Sequence, residues 1–323
     1  MSVLGIDLGG TKLAASVFAD NGRLISEEKA ALGGRKGTEV GGLISATISK
    51  LLKSNMNDDP VISVGISVPG ISLKEKGTVW APNIPGWIDY PLLSEVTAVA
   101  ANIPVIIESD RACCVMGEMW QGNARGCRDV IFMAVGTGIG AGIVVNGEIL
   151  RGSHDIAGAT GWMALNRPFE DKYTGCGCFE YHASGGGIAK VACELLRTRS
   201  DYAGELRSMD PERITSYDVF SALGKGDAIA TEVIDQCVGF WGMAAANFVS
   251  LFNPEIIIFG GGIFGPARNL IPAIMSEATK WAQPVSLKQV RFCPTAFEGS
   301  AAVYGAGYLA LKNLVEPDKT RQP

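Results

Sequence analysis

Gly5-Ile6-Asp7-Leu8-Gly9-Gly10-Thr11-Lys12 closes an apolar run that starts at Val3, and Gly136-Thr137-Gly138-Ile139-Gly140 closes a second, residues 130–135. Both runs are short and apolar enough to read as buried strands. Outward from the first, residues 13–18 read as a second strand, Asp20-Asn21-Gly22 as a turn and residues 23–26 as a third strand. Outward from the second, residues 141–145, Asn146-Gly147 and residues 148–150 repeat that order. An Asn-Gly pair between apolar strands is a strong hairpin signal. The pattern of strand, glycine turn, strand, Asn-Gly turn, strand therefore occurs twice, about 130 residues apart. Two similar half-molecules of α/β type are the economical reading.

The rest of the chain fits that frame. Residues 38–57 read as a helix, 60–68 as a strand, 92–101 as a helix and 104–108 as a buried strand running into a helix from Arg111 to about Gln121. Later helices are expected near 184–198, 215–222, 226–252 and 300–312, with a strand at 255–259 before Gly260-Gly261-Gly262 and a polar tail from Glu316. Charged residues make up 19% of the 323, against about 25% in an average chain, and 47% are hydrophobic. This composition suits two well-buried domains and excludes a disordered or fibrous chain. The net charge of −5 leaves no electrostatic footprint for nucleic acid. The start lacks a basic segment followed by an apolar one, so no signal peptide is expected. The apolar run 237–252 is shorter than the roughly 20 residues of a bilayer span, so no membrane partner is expected. Eight cysteines, two of them adjacent (Cys113, Cys114), fit reduced thiols in a cytoplasmic protein better than a disulfide framework.

A glycine turn after a strand supports two readings. Successive N–H groups can point at phosphate oxygens without Cβ interference, or the turn can simply be tight. Asp7 favours the first, because a carboxylate at the end of a buried strand needs a partner and Mg²⁺ accompanying a nucleotide is a natural one. Thr11 and Lys12 add a hydroxyl and a cation beside the same backbone. Neither better-known nucleotide motif is present: the P-loop pattern is missing, and both glycine loops open strands where a dinucleotide fold would open a helix.

These residues resemble the repressor–ORF–kinase (ROK) family of sugar kinases, within the actin-like ATPase superfamily. Gly5 through Lys12 look like its first phosphate motif, Gly136 through Gly140 like the second, and Asn253-Pro254 through Gly262 like the adenosine motif. The resemblance runs from about residue 3 to residue 312 and implies two actin-like (ribonuclease H-like) α/β domains with the active site in an interdomain cleft. It assigns residues 1–110 with the last helix (about 300–318) to a smaller domain and 111–299 to a larger one. ATP would be held by Asp7, Gly9, Gly10, Thr11, Lys12, Gly136, Thr137, Gly138, Gly140, Gly260, Gly261 and Gly262, with Mg²⁺ on Asp7 through water. The family's catalytic aspartate, in Glu-Asn-Asp, matches Asp110 in Glu108-Ser109-Asp110. A carboxylate there can take the proton of an attacking sugar hydroxyl; capping the helix that follows is the other reading, compatible with it. Ala81 through Trp87 match the family's A-P-N-x-P-G-W segment, which puts Asn83 near the sugar. The family's repressors carry a DNA-binding domain ahead of the first phosphate motif, which here begins at the fifth residue, so a repressor is not expected. A homodimer or higher homo-oligomer is implied by the resemblance.

The pattern breaks in one region. The family's G-E-x-G-H, whose Glu and His hold sugar and zinc, is replaced by Gly158-Ala159-Thr160-Gly161-Trp162. Ser109 stands in place of a sugar-binding asparagine. A sugar can stack on Trp162, or Trp162 can be filler. Asp171 and Tyr173 fall where the zinc motif has its first two cysteines, so zinc is not expected, although Cys176, Cys178, His182 and His154 form a rival ligand set. Glu180 survives from that motif as the best remaining sugar contact, beside Asn83, Ser109, Asp110 and Trp162. The reading is an ATP- and Mg²⁺-dependent sugar kinase; its rivals are a non-catalytic sugar or nucleotide sensor and a kinase of a non-standard sugar derivative.

Overall fold

The computed structural model describes residues 1–54, 59–100 and 102–315. Residues 55–57 and 101, expected at the ends of two helices, and the tail from Glu316 lie outside that set. The chain divides into two compact units: Met1–Gly126 with Ile149–Ala157 and the residues from Ala296 onward, and Cys127–Glu148 with Gly158–Thr295.

In the first unit, β1 (Ser2–Leu8), β2 (Lys12–Ala19) and β3 (Leu24–Ala31) form consecutive antiparallel pairs. Helix α1 (Thr38–Ser54) leads to β4 (Val61–Val68), which lies parallel to β1. A short hairpin, β5 (Ile71–Leu73) and β6 (Thr78–Trp80), precedes α2 (Leu92–Val99), β7 (Val105–Ser109) and α3 (Asp110–Gln121). The sheet order is β3-β2-β1-β4-β7. β1 is covered on both faces. Leu4, Ile6 and Leu8 share a core with Val40, Ile44 and Ile48 of α1, each buried side chain contributing roughly 1.5–3 kcal/mol. Val3, on the alternate face, packs with Val303 and Ala310 of the C-terminal helix Ala301–Val315. Gly5 and Gly65 let that helix approach, since a Cβ at either would strike its Val303 or Ala306 carbonyl. Gly117 of α3 and Gly305 of the C-terminal helix meet the facing backbone in the same way. This packing keeps α3 in the first unit, so the contact division falls after Gly126, whereas the sequence reading divides the chain at residue 110.

The second unit repeats the topology. β8 (Val130–Val135), β9 (Ile139–Val145), β10 (Glu148–Ile149), β11 (Ile256–Gly260) and β12 (Arg291–Pro294) follow the order β10-β9-β8-β11-β12. Asn146 and Gly147 take φ of 54° and 85°, as a two-residue hairpin turn requires. The sheet is covered by α4 (Cys178–Ala183), α5 (Gly185–Thr198), α6 (Ser216–Leu223), α7 (Ala228–Phe252), α8 (Ile271–Thr279) and α9 (Pro284–Leu287). Asp227 caps α7 by accepting from the Ala230 N–H, and Asn253 ends it with φ of 45° before Pro254. Two sheets of this order are the actin-like arrangement twice over. No helix among the described residues is long and apolar enough to cross a membrane.

Candidate active site

Strand register in the first unit lines up polar side chains at the ends of three parallel strands. Asp7 of β1 is level with Ser67 of β4, and Ser67 with Glu108 of β7. The buried Ser67 hydroxyl donates to Asp7 Oδ1 at 2.8 Å. Burial pushes Asp7 up to about 6, with the nearby charge of Asp110 adding to it and Ser67 and Lys12 opposing. Burial raises Asp110 as well, against the charge and N–H of Arg111.

Asp110 is the first residue of α3 and its Oδ1 accepts from the Arg111 N–H at 2.8 Å. The N-cap position belongs to Ser109, whose side chain makes no capping bond; Asp110 is therefore not the cap that the sequence allowed. Glu108, 5% exposed, fixes this corner. Its Oε1 accepts from the Ser109 N–H at 3.0 Å, and its Oε2 meets Arg151 Nε at 2.8 Å and Lys74 Nζ at 3.7 Å. Asn83 stands exposed on a loop closed by the Ala81 N–H donating to the Trp87 carbonyl. Trp87 anchors that loop, fully buried, stacked on Tyr90 at 4.4 Å and donating to the Gly37 carbonyl.

The glycine turns differ in what their missing side chains do. In the first turn, Gly9 N–H donates to the Lys12 carbonyl, and Gly10, Thr11 and Lys12 are exposed. In the second unit, Gly136 N–H donates to the Gly138 carbonyl, and Gly140 is already inside β9, paired with Ala134. A Cβ at Gly10 or Gly136 would meet nothing within 4 Å, and neither has positive φ. Packing and backbone conformation therefore do not account for glycine at these two positions. Gly260 is a packing glycine against the Phe132 ring, and Gly261 has φ of 89°. Gly262 is exposed, with only the Tyr217 hydroxyl near, 3.7 Å from its Cβ direction. Thr137 is exposed in the turn.

Glu180, on α4, accepts the Ile139 N–H at 2.7 Å through Oε2, directly after the second turn. A Cβ at Gly138 would come within 2.6 Å of that oxygen. Trp162 ends a 3-10 turn, Thr160–Trp162, and is 59% exposed, so it is not filler. Among the described residues no three His, Cys, Asp or Glu side chains are grouped to hold a metal. Of the rival zinc set, His182 is hydrogen-bonded to Tyr173 and Cys176 Sγ faces the Gly177 carbonyl.

The chain matches the ROK family over residues 3–313. It belongs to the ROK family. It is 30% identical over 315 residues to a glucokinase of Halalkalibacterium halodurans, covering 95% of this chain and 94% of that one. It is 31% identical over 266 residues to a xylose repressor of Caldicellulosiruptor bescii, covering 80% of this chain and 65% of the repressor. A ROK family glucokinase from Streptomyces griseus, solved with glucose and AMPPNP, superposes with a TM-score of 0.77 at 27% identity, covering 97% of this chain and all of that one. The sequence reading of the family and of the duplicated α/β fold is thus borne out. It missed Ser67, Lys74, Arg151 and Tyr217. A hydroxyl one residue before the end of the apolar strand 61–68 was a signal for Ser67; nothing near Arg151 announced its partner 43 residues away.

Proposed function

We infer that in this ATP-dependent sugar kinase of the ROK family, Asp110 is the general base. The observation that carries the reading is the corner built around it. Glu108 ties the Ser109 amide and is itself held by Arg151, so Asp110 is presented from a fixed helix start. As a sugar hydroxyl attacks the γ-phosphate, an Asp110 oxygen accepts its proton. Gly10 and Gly136 leave the backbone of their turns open to phosphate oxygens, with Gly9, Thr11, Lys12, Thr137 and Gly138 in the same turns; Gly260 to Gly262 and Tyr217 suit the nucleoside.

A divalent cation fits Asp7. That carboxylate is sheltered, close to the like charge of Asp110, and only partly relieved by Ser67 and Lys12, which is the environment a cation stabilises. Mg²⁺ held there through water would neutralise charge on the phosphates. Zinc is not part of this reading, because Asp171, Tyr173 and Trp162 stand at three of the positions where zinc ligands are expected. The eight unpaired thiols support a reducing, cytoplasmic setting. A homo-oligomer belongs to the same reading, and light scattering of the purified chain measures it.

The acceptor is proposed to be a sugar other than plain glucose. Ser109, Ala159 and Trp162 stand where polar sugar partners are expected, leaving Asn83, Ser109, Asp110 and Glu180 as hydrogen-bonding groups and Trp162 as an exposed stacking face. Sites that lose such partners change preference by large factors. The test is kcat/KM from ADP release over neutral, amino, N-acetylated and ketose sugars, with Trp162→Ala alongside. We expect weak turnover of glucose and a Trp162→Ala loss of about tenfold on the best sugar. Glucose as clearly the best substrate with Trp162→Ala harmless would overturn this. The repressor relative keeps a sensor reading in play; binding of sugar without any ADP release would favour it.

A further inference from the structure

Glu180 is carried by a short helix whose anchorage the proposed chemistry does not use. Tyr173 and His182 are both buried, 3% and 9% exposed. The Tyr173 hydroxyl lies 2.8 Å from Glu170 Oε1 and 2.9 Å from His182 Nε2. It has one proton to give. An ionised carboxylate only accepts, and Glu170 is kept ionised by that hydroxyl and by Lys172, 3.2 Å from its other oxygen. The phenol therefore donates to Glu170, and His182 donates to the phenol oxygen from Nε2. This makes His182 the neutral Nε2–H tautomer. Its Nδ1 is buried without a hydrogen-bond partner among the described residues, and its ring stacks on Phe240 at 4.6 Å with planes 7° apart. A second proton would bury a charge with no acceptor. Burial and then Lys172 hold its pKa below the ordinary value, against Glu194 and Glu170.

We propose that Glu170, Tyr173 and His182 form a hydrogen-bonded clasp that positions Glu180 against the Ile139 amide. α4 is six residues long; Phe179 and Ala183 seat it in the core, the Tyr181 hydroxyl donates to Glu194, and Cys237 Sγ donates to the His182 carbonyl. At its start the Gly177 N–H donates to the Tyr173 carbonyl, and at its end Trp241 Nε1 donates to the Ala183 carbonyl. The clasp joins that helix, through His182, to the turn Asp171–Tyr173. Glu180 lies two residues before His182 on the same helix, so holding the imidazole holds the backbone from which the carboxylate reaches the glycine turn. The three are positioning residues, and the proposal rests on reading Glu180 as a substrate contact.

Nitrogen-15 labelling of histidine reads the first part directly, because the chain has only two histidines and His154 is exposed. His182 should show a protonated Nε2 and a bare Nδ1 from about pH 5 to 8; an Nδ1–H tautomer or ordinary titration overturns the clasp. Tyr173→Phe removes the hydroxyl's hydrogen bonds to Glu170, His182 and Asn166 and keeps the ring. The Ile139 amide resonance should then move in the direction given by Glu180→Gln, and an unmoved amide counts against the proposal. If Tyr173→Phe fails to fold, Glu170→Ala at an exposed position should give a smaller shift of the same sign. With MgATP and glucose or N-acetylglucosamine, Tyr173→Phe should lower kcat/KM about tenfold, with no further loss when added to Glu180→Gln. Additive losses would mean a merely structural role. His182→Gln, which can still donate to the phenol, should retain most activity. A wild type inactive on every sugar sinks the kinase reading, while both resonance measurements still judge the clasp.

Discussion

At the end of β1 the first unit carries Asp7, level with Ser67 of β4; at the matching point of the second unit β8 carries Ala134, level with Gly260 of β11. The two sites correspond strand for strand, since each lies one pair before the last rung of its hairpin, Leu8 with Leu13 and Val135 with Ile139. The shared topology thus carries different chemistry in its two copies. The first unit supplies ionisable side chains, Asp7 and Asp110, with Glu108 held between Ser109 and Arg151. The second has at the same place a glycine turn, Gly136 to Gly138, followed by the Ile139 amide that donates to Glu180. Catalysis by proton transfer needs the former, and phosphate binding can be done by either.

The largest effect should follow from removing the side-chain chemistry at Asp110. Asp110→Asn is expected to fold, bind ADP as the wild type does, and lose at least about 10²-fold in kcat, the usual scale for a general base. In the wild type the acid limb of kcat should lie above the ordinary aspartate range, because burial raises Asp110. Near-normal turnover by Asp110→Asn would leave the two units chemically alike.

How far this difference could be read in the sequence depends on distance along the chain. The hairpins around Gly9 and Gly136 were legible because strand, turn and strand are adjacent, and Asp110 because a motif names it. The partners that set their chemistry were not. Ser67 reaches Asp7 through parallel register across 60 residues, and Arg151 reaches Glu108 from a segment that returns to the first unit. The short elements were also hidden. β12 is four mixed residues and α4 six, too few for a period to show. Nor could the sequence separate packing glycines from open ones, since Gly260 and Gly136 look the same until Phe132 is seen over one of them.

A second effect concerns stability. Asp7 has a higher pKa folded, about 6, than unfolded, 3.8, so the native state binds its proton more tightly. Below the unfolded value both states are protonated and the burial penalty on charge is absent. As pH rises through about 6 the native state must ionise, and stability is lost by up to about 3 kcal/mol. Asp7→Asn gives the first unit an uncharged residue here, as the second already has. It should raise the melting temperature of the nucleotide-free protein at pH 7–8 by the equivalent of about 1–3 kcal/mol, with the gain fading by about pH 4. It should also remove the response of turnover to Mg²⁺. A gain that persists unchanged at pH 4, or no gain at pH 8, contradicts the assignment.

The smallest effect tests whether both turns bind by backbone. Gly10→Ala and Gly136→Ala add a methyl that meets no protein atom within 4 Å, at positions without positive φ. Melting should shift little, within about 0.5 kcal/mol in either direction. If phosphate oxygens approach these turns, the same methyl occupies their path, and the dissociation constant for ADP should rise about tenfold at each turn, about 1.4 kcal/mol. Gly260→Ala should behave the other way, because its Cβ runs into the buried Phe132 ring; overpacking of that kind costs about 1–3 kcal/mol in stability. Calorimetric titration of ADP beside thermal melts separates the two classes in one set of variants. Affinity lost at Gly10 and Gly136 with stability intact means that the second unit kept the first unit's phosphate turn while giving up its carboxylates. Unchanged ADP affinity in both variants would reduce the turns to hairpin geometry and leave the nucleotide to be held elsewhere.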